Sequence, residues 1–432
     1  MKLSEVPSKR DTEQAVMDVQ DGYLKQHEIR DLDPALQFMN AEEIEYTPDE
    51  AKNVLSKIDR VLMPLLCWVY LIQFADKTSL NYASLMGIRE DTHLDPNSQQ
   101  YSWVSSIFYA GYICWDCIGL AQLLIGPVAY GLAGVTGTTI AVWKILFLVF
   151  GLPTVLTGIV YFWYMPDNQV QARFLNHREK LIAIDRIRGN FQGIGSQTWK
   201  WPQFFEAFRD PRTYLYVLFS LLMNIPNGGI TTFGSIIISS FGFSKRMSLI
   251  LNMPMGVVDI TCKLGLTYLS DRFFDRTLFA IIAILIPMIG GIMMIVIPIH
   301  AKAGLLIGYY FIGAAGTSWC LVMVMISNNT LGYTKKATVN GLQIVAYAAG
   351  NWIGPQTFRS TQSPEYFDGK LMVAIMYALA AVTLAAIRVI NLLENKRRDR
   401  KAIDDPQSAH TTPGSEFLDL TDFEQPAFRY VL

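Results

Sequence analysis

A series of apolar runs constrains this chain more than any other feature of its sequence. The runs recur between residues 61 and 393, and the charged residues are concentrated in the segments between them. A helix of about 20 apolar residues crosses a hydrocarbon core of about 30 Å, and in lipid a helix satisfies its own backbone polar groups. With 51% hydrophobic residues in 432, the sequence predicts an all-α polytopic membrane protein.

The runs predict two membrane bundles joined by one long polar linker. We divide the chain into a cytoplasmic N-terminal tail (1–60), an N-terminal bundle (61–165), a cytoplasmic linker (166–212), a C-terminal six-helix bundle (213–393) and a cytoplasmic C-terminal tail (394–432). The spans predicted for the C-terminal bundle are Thr213–Phe243, Leu249–Leu269, Leu278–Pro298, Leu305–Ser327, Val339–Phe358 and Met372–Leu393. The N-terminal bundle has two full spans, Val61–Tyr82 and Trp143–Met165, with the apolar stretch Tyr101–Gly134 between them. It is therefore incomplete, with about 3–4 membrane segments at about 20 residues each.

Lysine and arginine are distributed unevenly among the polar segments. The linker carries eight and the run Lys396–Lys401 carries five, whereas the alternate loops of the C-terminal bundle carry few. By the positive-inside rule, this asymmetry places the linker and the C-terminus in the cytoplasm. Lys52, Lys57 and Arg60 flank the first span and place the N-terminus there too. We expect the membrane to be the plasma membrane.

Other classes of protein have little support in the sequence. The net charge of −1 does not suggest a nucleic-acid partner, and the five cysteines and five histidines form no clustered metal-ligand pattern. There is no nucleophile elbow and no pair of catalytic carboxylates. We therefore expect no catalytic residues, no metal, no cofactor and no enzyme activity. The expected partners are the lipid bilayer and a small substrate, with the chain as a monomer.

The run Thr213–Phe243 has a polar and flexible centre. Asn224, Pro226 and Asn227, followed by two glycines, lie about midway along it. Because proline removes a backbone donor and glycine weakens a helix, we predict a broken helix whose free carbonyls face protein or a water-filled cavity. Broken helices at this depth hold the substrate in many transporters. The alternative is a proline kink that only helps packing.

Two pairs of charged residues lie inside predicted spans. Asp76 and Lys77 are adjacent, so their side chains point about 100° apart on a helix and cannot face each other. They face a polar cavity or lie at the membrane interface, with Lys77 extending to water. Asp259 and Lys263 are four residues apart and share one helix face, where they can form an ion pair. That pair is either structural or a proton-sensitive latch.

Several long strings in the sequence are typical of one family. They are Asp76–Ile88, Ala172–Ile194, Asn224–Ser244, Leu251–Gly256, Asn328–Asn340, Gly350–Arg359 and Phe428–Leu432. The strings resemble the allantoate permease family of fungi, a branch of the anion:cation symporters within the major facilitator superfamily. The resemblance covers residues 45–116 and 118–432. It implies the major facilitator fold, which has twelve helices in two bundles.

The resemblance further implies a transmembrane transporter that works by alternating access. The implied activity is proton-coupled symport of a small organic anion, such as allantoate, ureidosuccinate, a vitamin-like acid or a short peptide. A proton gradient then supplies the coupling ion, in place of a cofactor.

The implied substrate site lies between the two bundles. Its side chains would be Asp76, Lys77, Asn81, Tyr82, Asn224, Asn227, Gln343, Tyr347 and Asn351. Amides and a cation suit a carboxylate and ureide substrate, because they offer directional donors in a cavity where unpaired polar groups are costly. Gln343, Tyr347 and Asn351 are spaced by four and share one helix face. The alternative for that face is contact between helices.

A loop motif supplies the predicted gating and structural residues, together with Asp259 and Lys263. Asp271, Arg272 and Arg276 resemble the superfamily pattern G-x-x-x-D-R-x-x-x-R, in which the acid caps a neighbouring helix. Thr267 stands where the pattern has glycine. The match is therefore partial.

The N-terminal bundle departs from the family pattern. Asp116 is followed directly by Cys117–Gly119, where the family has three further helix-equivalents, so about 70–80 residues are missing at about 20 per helix plus loops. We predict that Tyr101–Gly134 forms a re-entrant hairpin bending near Cys114–Gly119, or a single frustrated crossing. The alternative to a working transporter is a transport-dead truncated form or a nutrient-sensing membrane protein.

Overall fold

The structure is a computed structural model that describes residues 46–83, 86, 88–92, 127–134, 140–166, 172–188, 199–362, 365–404 and 419–432. Within these ranges the chain forms helices, turns and extended connections, without a β-strand. Six of the described helices are long and apolar enough to cross a membrane. The predicted all-α polytopic architecture is confirmed. The predicted hairpin Tyr101–Gly134 lies outside the described residues, apart from residues 127–134, of which 127–132 are helical.

The N-terminal half is described as two long helices and one short one. They are α1 (Pro48–Ala83), the short α2 (Ile88–Asp91) and α3 (Val142–Tyr164). α1 begins well before the predicted first span, because Thr47 and Glu50 form a reciprocal capping box with N–O distances of 3.2 and 3.0 Å. The polar segment before the span therefore continues the same helix.

The linker contains two further helices. They are α4 (His177–Arg188) and α5 (Trp201–Arg209). α4 packs against the first turns of α1, where Lys57 Nζ lies 2.7 Å from Glu179 Oε2. α5 packs against the C-terminal half instead, so the described parts of the linker contact both halves.

By composition and length, five of the six predicted spans of the C-terminal half are apolar enough to cross a membrane, and the structure describes a helix at all six, two of them built from two pieces. In chain order they are α6 (Pro211–Ser240), α7 (Lys245–Leu251) with α8 (Met253–Phe273), α9 (Arg276–Val296), α10 (Lys302–Phe311) with α11 (Ala315–Asn329), α12 (Tyr333–Gln356) and α13 (Phe367–Asp404). A single 3₁₀ turn joins α10 to α11, and α13 continues past the membrane into the basic run. The predicted six-helix bundle is confirmed.

α6 is continuous, so the predicted break within Thr213–Phe243 is wrong. Helical backbone runs through Asn224, Pro226 and Asn227 without interruption. The segment is buried inside the protein along most of its length. A proline inside a helix is tolerated in a membrane where neighbouring helices hold the segment in place.

The neighbour that holds α6 is α12. A Cβ on Gly228 would lie 2.5 Å from the carbonyl oxygen of Asn351, and a Cβ on Gly354 would lie 2.7 Å from the amide nitrogen of Gly229. The two backbones therefore touch through glycine, as small-residue interfaces allow in lipid. The small residues at the centre of α6 serve this close contact.

The last residues of the chain return to the linker end of the C-terminal bundle. We call residues 419–432 the C-terminal clasp. Its Asp422 is fully buried and lies 2.7 Å from both Lys335 Nζ of α12 and Arg212 Nη2 of α6. Arg398 of α13 donates to the hydroxyl oxygen of Tyr430 at 2.8 Å. Lys335 and Arg212, which count as cytoplasmic charges in the topology argument, are thus buried in an ion network.

Candidate functional site

A cavity lies about midway along α6, where α1 meets the C-terminal half. Its walls come from α1, α6, α8, α10, α11, α12 and α13. Its free volume is about 40 Å³, little more than the roughly 30 Å³ that one water occupies in the liquid. Of the nine predicted substrate residues, the structure places Asn81, Asn224, Asn227 and Tyr347 on the cavity wall.

Three asparagines form a hydrogen-bonded network between α6 and α12. Asn227 Nδ2 donates to Asn351 Oδ1 at 2.9 Å, and Asn351 Nδ2 donates to Asn224 Oδ1 at 3.2 Å. Asn224 Nδ2 in turn donates to the carbonyl oxygen of Ser220 at 2.7 Å. Asn351 is fully buried behind the other two, so it orients them without lining the cavity. Asn224 and Asn227 therefore present amides of defined orientation to the cavity.

Gln343 and Tyr347 have different neighbours although they share a face of α12. Gln343 is buried against α6, where its side chain is hydrogen-bonded to Ser220. It does not line the cavity. The Tyr347 ring does line the cavity, and its centroid lies 5.8 Å from that of Trp319 on α11. For Gln343 the structure therefore shows contact between helices.

The end of α1 is tied to the C-terminal half by a set of polar contacts. The amide nitrogen of Ser235 donates to Asn81 Oδ1 at 3.1 Å. Asn252 Nδ2 donates to the Tyr82 hydroxyl at 3.3 Å, and the Tyr309 hydroxyl donates to Asn252 Oδ1 at 2.7 Å. These five residues, which we call the far-end gate, lie toward the helix ends that are opposite to the linker. The cavity is therefore closed by hydrogen bonds between the two halves at that end.

Asp76 lies away from the cavity, within the N-terminal half. Its Oδ2 accepts a hydrogen bond from Thr154 of α3 at 2.6 Å. The physical reason is helical rotation, since five positions separate Asp76 from Asn81 and turn the two side chains about 140° apart. Lys77 is part of α1, but its side chain lies outside the described residues. The structure thus assigns Asp76 to the contact between α1 and α3.

Asp259 and Lys263 form the predicted ion pair. Lys263 Nζ lies 2.6 Å from Asp259 Oδ2. Asp259 is 2% exposed and lines the cavity, and its Oδ1 accepts no hydrogen bond from any residue that the structure describes. Gly316 of α11 provides the room for the pair, because a Cβ there would lie 2.7 Å from Asp259 Oδ1. A buried carboxylate with one unsatisfied oxygen at a cavity can take up a proton or a hydrogen-bond donor of a ligand.

The loop between α8 and α9 differs from the expectation for Asp271. Asp271 is exposed and lies 3.4 Å from Arg276, and Arg272 is exposed as well. The helix cap is supplied by Asp275, whose Oδ1 accepts a hydrogen bond from the backbone amide of Leu278 in the first turn of α9. Asp275 also forms an ion pair with Arg388 of α13. α8 ends only at Phe273, so Asp275 rather than Asp271 occupies the N-cap position.

Sequence reasoning missed several residues at the cavity, among them Asn252 and Tyr309. Both are buried, and both belong to the far-end gate. An amide inside an apolar run is a usable signal, and Asn252 stands directly between α7 and α8. Tyr309 had no comparable signal, because tyrosine is common near membrane interfaces.

With the fold and cavity described, two comparisons with known proteins decide the family. The sequence pattern of the Major Facilitator Superfamily matches residues 117–355. The allantoate permease of Saccharomyces cerevisiae is 35% identical over 91% of this chain and 88% of its own length. The chain belongs to the allantoate permease family of the major facilitator superfamily.

Two further relatives are transporters. An uncharacterised transporter of Schizosaccharomyces pombe is 31% identical over 92% of this chain and 90% of its own length. The thiamine pathway transporter of Saccharomyces cerevisiae is 28% identical over 88% of this chain and 86% of its own length. This chain, as a member of the same family, is therefore a multi-pass membrane transporter and not an enzyme.

The length of the match with the allantoate permease confirms that an internal segment is missing. The match extends over 484 aligned positions. This chain has only 432 residues, and 91% of those residues take part in the match. The permease therefore has residues inside the matched region that this chain lacks. The point at which the sequence departs from the family, next to Cys117, lies outside the described residues.

Proposed function

We propose that the chain carries out proton-coupled symport of a small organic anion by alternating access. The anion belongs to the class of allantoate, ureidosuccinate, vitamin-like acids or short peptides. The single observation that carries this proposal is the cavity, whose lining combines the amides of Asn224 and Asn227 with a buried carboxylate, Asp259, that has one unsatisfied oxygen. Ureide and carboxylate groups pair well with amides, which both donate and accept hydrogen bonds. The name of the allantoate permease relative supports the same class.

The cavity must widen before it can hold such an anion. Its free volume of about 40 Å³ is close to that of one water, so the structure corresponds to a closed state. The far-end gate joins the two halves through Asn252 and its tyrosine partners. Breaking those hydrogen bonds lets one half rock against the other and opens the cavity at that end. We propose that the linker end faces the cytoplasm and the far end faces the outside of a plasma membrane.

We propose that Asp259 is the group that takes up the coupling proton. Its Oδ2 pairs with Lys263, while its Oδ1 is buried beside the cavity wall without a hydrogen-bond partner in the described part of the chain. Protonation of Asp259 weakens the ion pair and leaves Lys263 with a net positive charge. A cation next to the cavity then attracts the anionic substrate, so that proton and anion are bound together.

Uptake into proteoliposomes tests the proposal. Purified chain should take up radiolabelled allantoate or a related organic anion, and a pH gradient that is acid outside should increase the rate. As a control, a protonophore should abolish the increase in uptake that the pH gradient causes. Absence of uptake for the whole anion class by a version with the internal segment restored would contradict the proposal.

Substitution of the cavity amide gives a second test. Asn227→Leu should lower uptake by more than about tenfold, the equivalent of one lost hydrogen bond of about 1.4 kcal/mol. Thr261→Leu is the matched control, because Thr261 is an exposed polar residue of α8 that does not line the cavity. Equal loss of uptake in both variants, or loss of membrane insertion by Asn227→Leu, would assign Asn227 to packing.

A transport-dead form is the second candidate function, and the missing segment favours it. The chain is shorter than the region over which the allantoate permease matches it. Comparing uptake by this chain with uptake by a version that carries the corresponding segment of the permease between Asp116 and Cys117 separates the two candidates. Uptake only by the restored version favours the transport-dead form, and equal uptake by both rules it out.

A further inference from the structure

One face of α13 changes from apolar to basic along its length. The exposed apolar side chains on this face are Ile375, Leu379, Val382, Val389 and Leu393. They are spaced by three, four or seven residues, which places them on one side of the helix. Arg397 and Lys401 follow at four and eight residues beyond Leu393, and both are exposed. This change on a single lipid-facing stripe marks the boundary between acyl chains and headgroups.

A second cavity adjoins this boundary, and we call it the linker–tail cavity. It lies between the start of α6, the end of α13 and the C-terminal clasp, and its volume is about 560 Å³. The charged residues in its lining are Asp210, Arg212, Glu394, Arg397, Arg398 and Lys401. Four of these six are basic, so the part of the lining that the structure describes carries an excess of positive charge.

The two acids of the linker–tail cavity are already neutralised by arginines. Asp210 Oδ2 lies 2.6 Å from Arg212 Nη2. Glu394 is shared between Arg397 at 3.3 Å and Arg398 at 3.1 Å. These two acids do not neutralise all four basic groups of the described lining.

Two basic groups of the cavity keep free donors. Lys401 has no hydrogen bond or ion pair with any residue that the structure describes. Arg397 reaches Glu394 through Nη1 alone, and its Nε and Nη2 have no hydrogen-bond acceptor among the same residues. The free donors are thus of the kind that phosphate oxygens accept from.

We propose that the linker–tail cavity binds the phosphate group of an anionic membrane lipid, with Arg397 and Lys401 as its ligands. The acyl chains of that lipid lie along the apolar stripe that ends at Leu393. Phe423 of the clasp, which is 48% exposed, offers an apolar surface at the same cavity. Binding there joins the clasp to the membrane boundary.

The basic run Lys396–Lys401 supplies its own matched control. Lys396 and Arg400 are as basic and as exposed as the two ligands, but they do not line the cavity. The variant Arg397→Gln/Lys401→Gln and the variant Lys396→Gln/Arg400→Gln remove the same charge from the same helix. Both leave the same number of positive charges for membrane orientation. A difference between them therefore reports the cavity and not the general attraction of a basic segment for anionic lipid.

The experiment measures binding of the full chain to a fluorescent phosphoinositide in nanodiscs of zwitterionic lipid. The wild-type chain should bind it saturably. The Arg397→Gln/Lys401→Gln variant should bind about 30-fold more weakly, which corresponds to about 2 kcal/mol for two charges near the surface. The Lys396→Gln/Arg400→Gln variant should stay within about twofold of the wild type, because its charges lie outside the cavity.

A soluble arm distinguishes the source of the phosphate. Absence of competition by a water-soluble inositol phosphate at matching concentration supports the membrane lipid as the ligand. Full competition that is lost in the Arg397→Gln/Lys401→Gln variant would replace the lipid with a free phosphate and overturn that part of the proposal. No saturable binding by the wild-type chain, or equal weakening in both variants, overturns the proposal.

Discussion

α3 in the N-terminal half and α6 in the C-terminal half are both long enough to cross a membrane, yet their surroundings are opposite. The apolar stretch of α3 has a mean hydropathy of 2.2, and only 6% of that stretch is buried inside the described part of the protein. The apolar stretch of α6 has a mean hydropathy of 1.3, and 78% of that stretch is buried. The more apolar helix is thus the less buried one. In lipid, large apolar side chains gain nothing by leaving the membrane, whereas small and polar residues hold helices together.

α12 extends the comparison to a third helix. It is not among the six described helices that are long and apolar enough to cross a membrane, yet it contacts α6 closely through glycines and asparagines. α3 contacts α1 through side-chain hydrogen bonds, such as the one from Trp68 Nε1 to Thr157 Oγ1 at 3.0 Å. The C-terminal bundle is therefore fastened by close backbone contact, and the described part of the N-terminal half by a looser contact.

The largest effect is expected at the ion network of the C-terminal half. Lys335 is 1% exposed at its side chain and lies within 3.3 Å of Glu206, Asp210 and Asp422. Lys335→Met should lower the free energy of unfolding by about 3–5 kcal/mol, because it leaves buried carboxylates uncompensated. Lys144→Met on α3 is the control, since Lys144 is exposed and its loss should change stability by about 0.5 kcal/mol or less. Thermal unfolding in detergent measures both, and equal shifts would remove the contrast between the halves.

The next effect concerns glycine. Gly354→Ala should destabilise the protein by about 2–3 kcal/mol, because its Cβ would press on the backbone of α6 and force the helices apart. Gly158→Ala on α3 has open space around the new methyl group and should be neutral or stabilise by up to about 1 kcal/mol. Chemical unfolding of the two variants measures the difference. A neutral Gly354→Ala would show that the backbones do not touch.

A pH effect is expected for the C-terminal clasp. Burial alone raises the pKa of Asp422, but Lys335 and Arg212 outweigh burial, so the pKa lies below its ordinary value. Stability from a carboxylate with a lowered folded pKa is present above its unfolded pKa of about 3.9 and is lost as the pH falls through the folded pKa.

The clasp should therefore resist proteolysis equally between about pH 5 and pH 8 and become cleavable only in stronger acid. Asp422→Asn should make it cleavable across the whole range, because Lys335 and Arg212 lose their shared counter-ion. Limited proteolysis followed by mass spectrometry measures both. Release of the wild-type clasp near neutral pH would contradict this account of Asp422.

The smallest effect on stability is expected at Asp259 and Lys263. Exchange of the two residues, Asp259→Lys with Lys263→Asp, keeps the pair and should cost less stability than either single substitution, which leaves an uncompensated buried charge. Proton-driven uptake by a complete version should not recover, because the carboxylate has moved away from the cavity. Recovery of both stability and uptake would make the pair purely structural.

Much of the fold followed from residue patterns, and parts of the site did not. Apolar run length predicted every membrane helix of the C-terminal half, because the bilayer sets that length. The helix spacing of Asp259 and Lys263 predicted their ion pair correctly. The resemblance to the family implied that Asp76 lies with the substrate, whereas its carboxylate faces Thr154 of α3. Rotation of a helix about its axis is decided by its neighbours, which no local pattern contains.

By itself, the sequence determined the membrane class, the six-helix C-terminal bundle, the family and the missing segment, since these depend on composition and on the order of strings. Only the tertiary structure decided that α6 stays continuous through Pro226, that Gln343 is buried while Tyr347 lines the cavity, and that Asp422 anchors the C-terminal clasp. Each of these outcomes depends on a contact between residues more than a hundred positions apart or across different helices. Proline and glycine weaken an isolated helix, but in lipid a close neighbour compensates for that weakness, and its presence is a property of the whole fold.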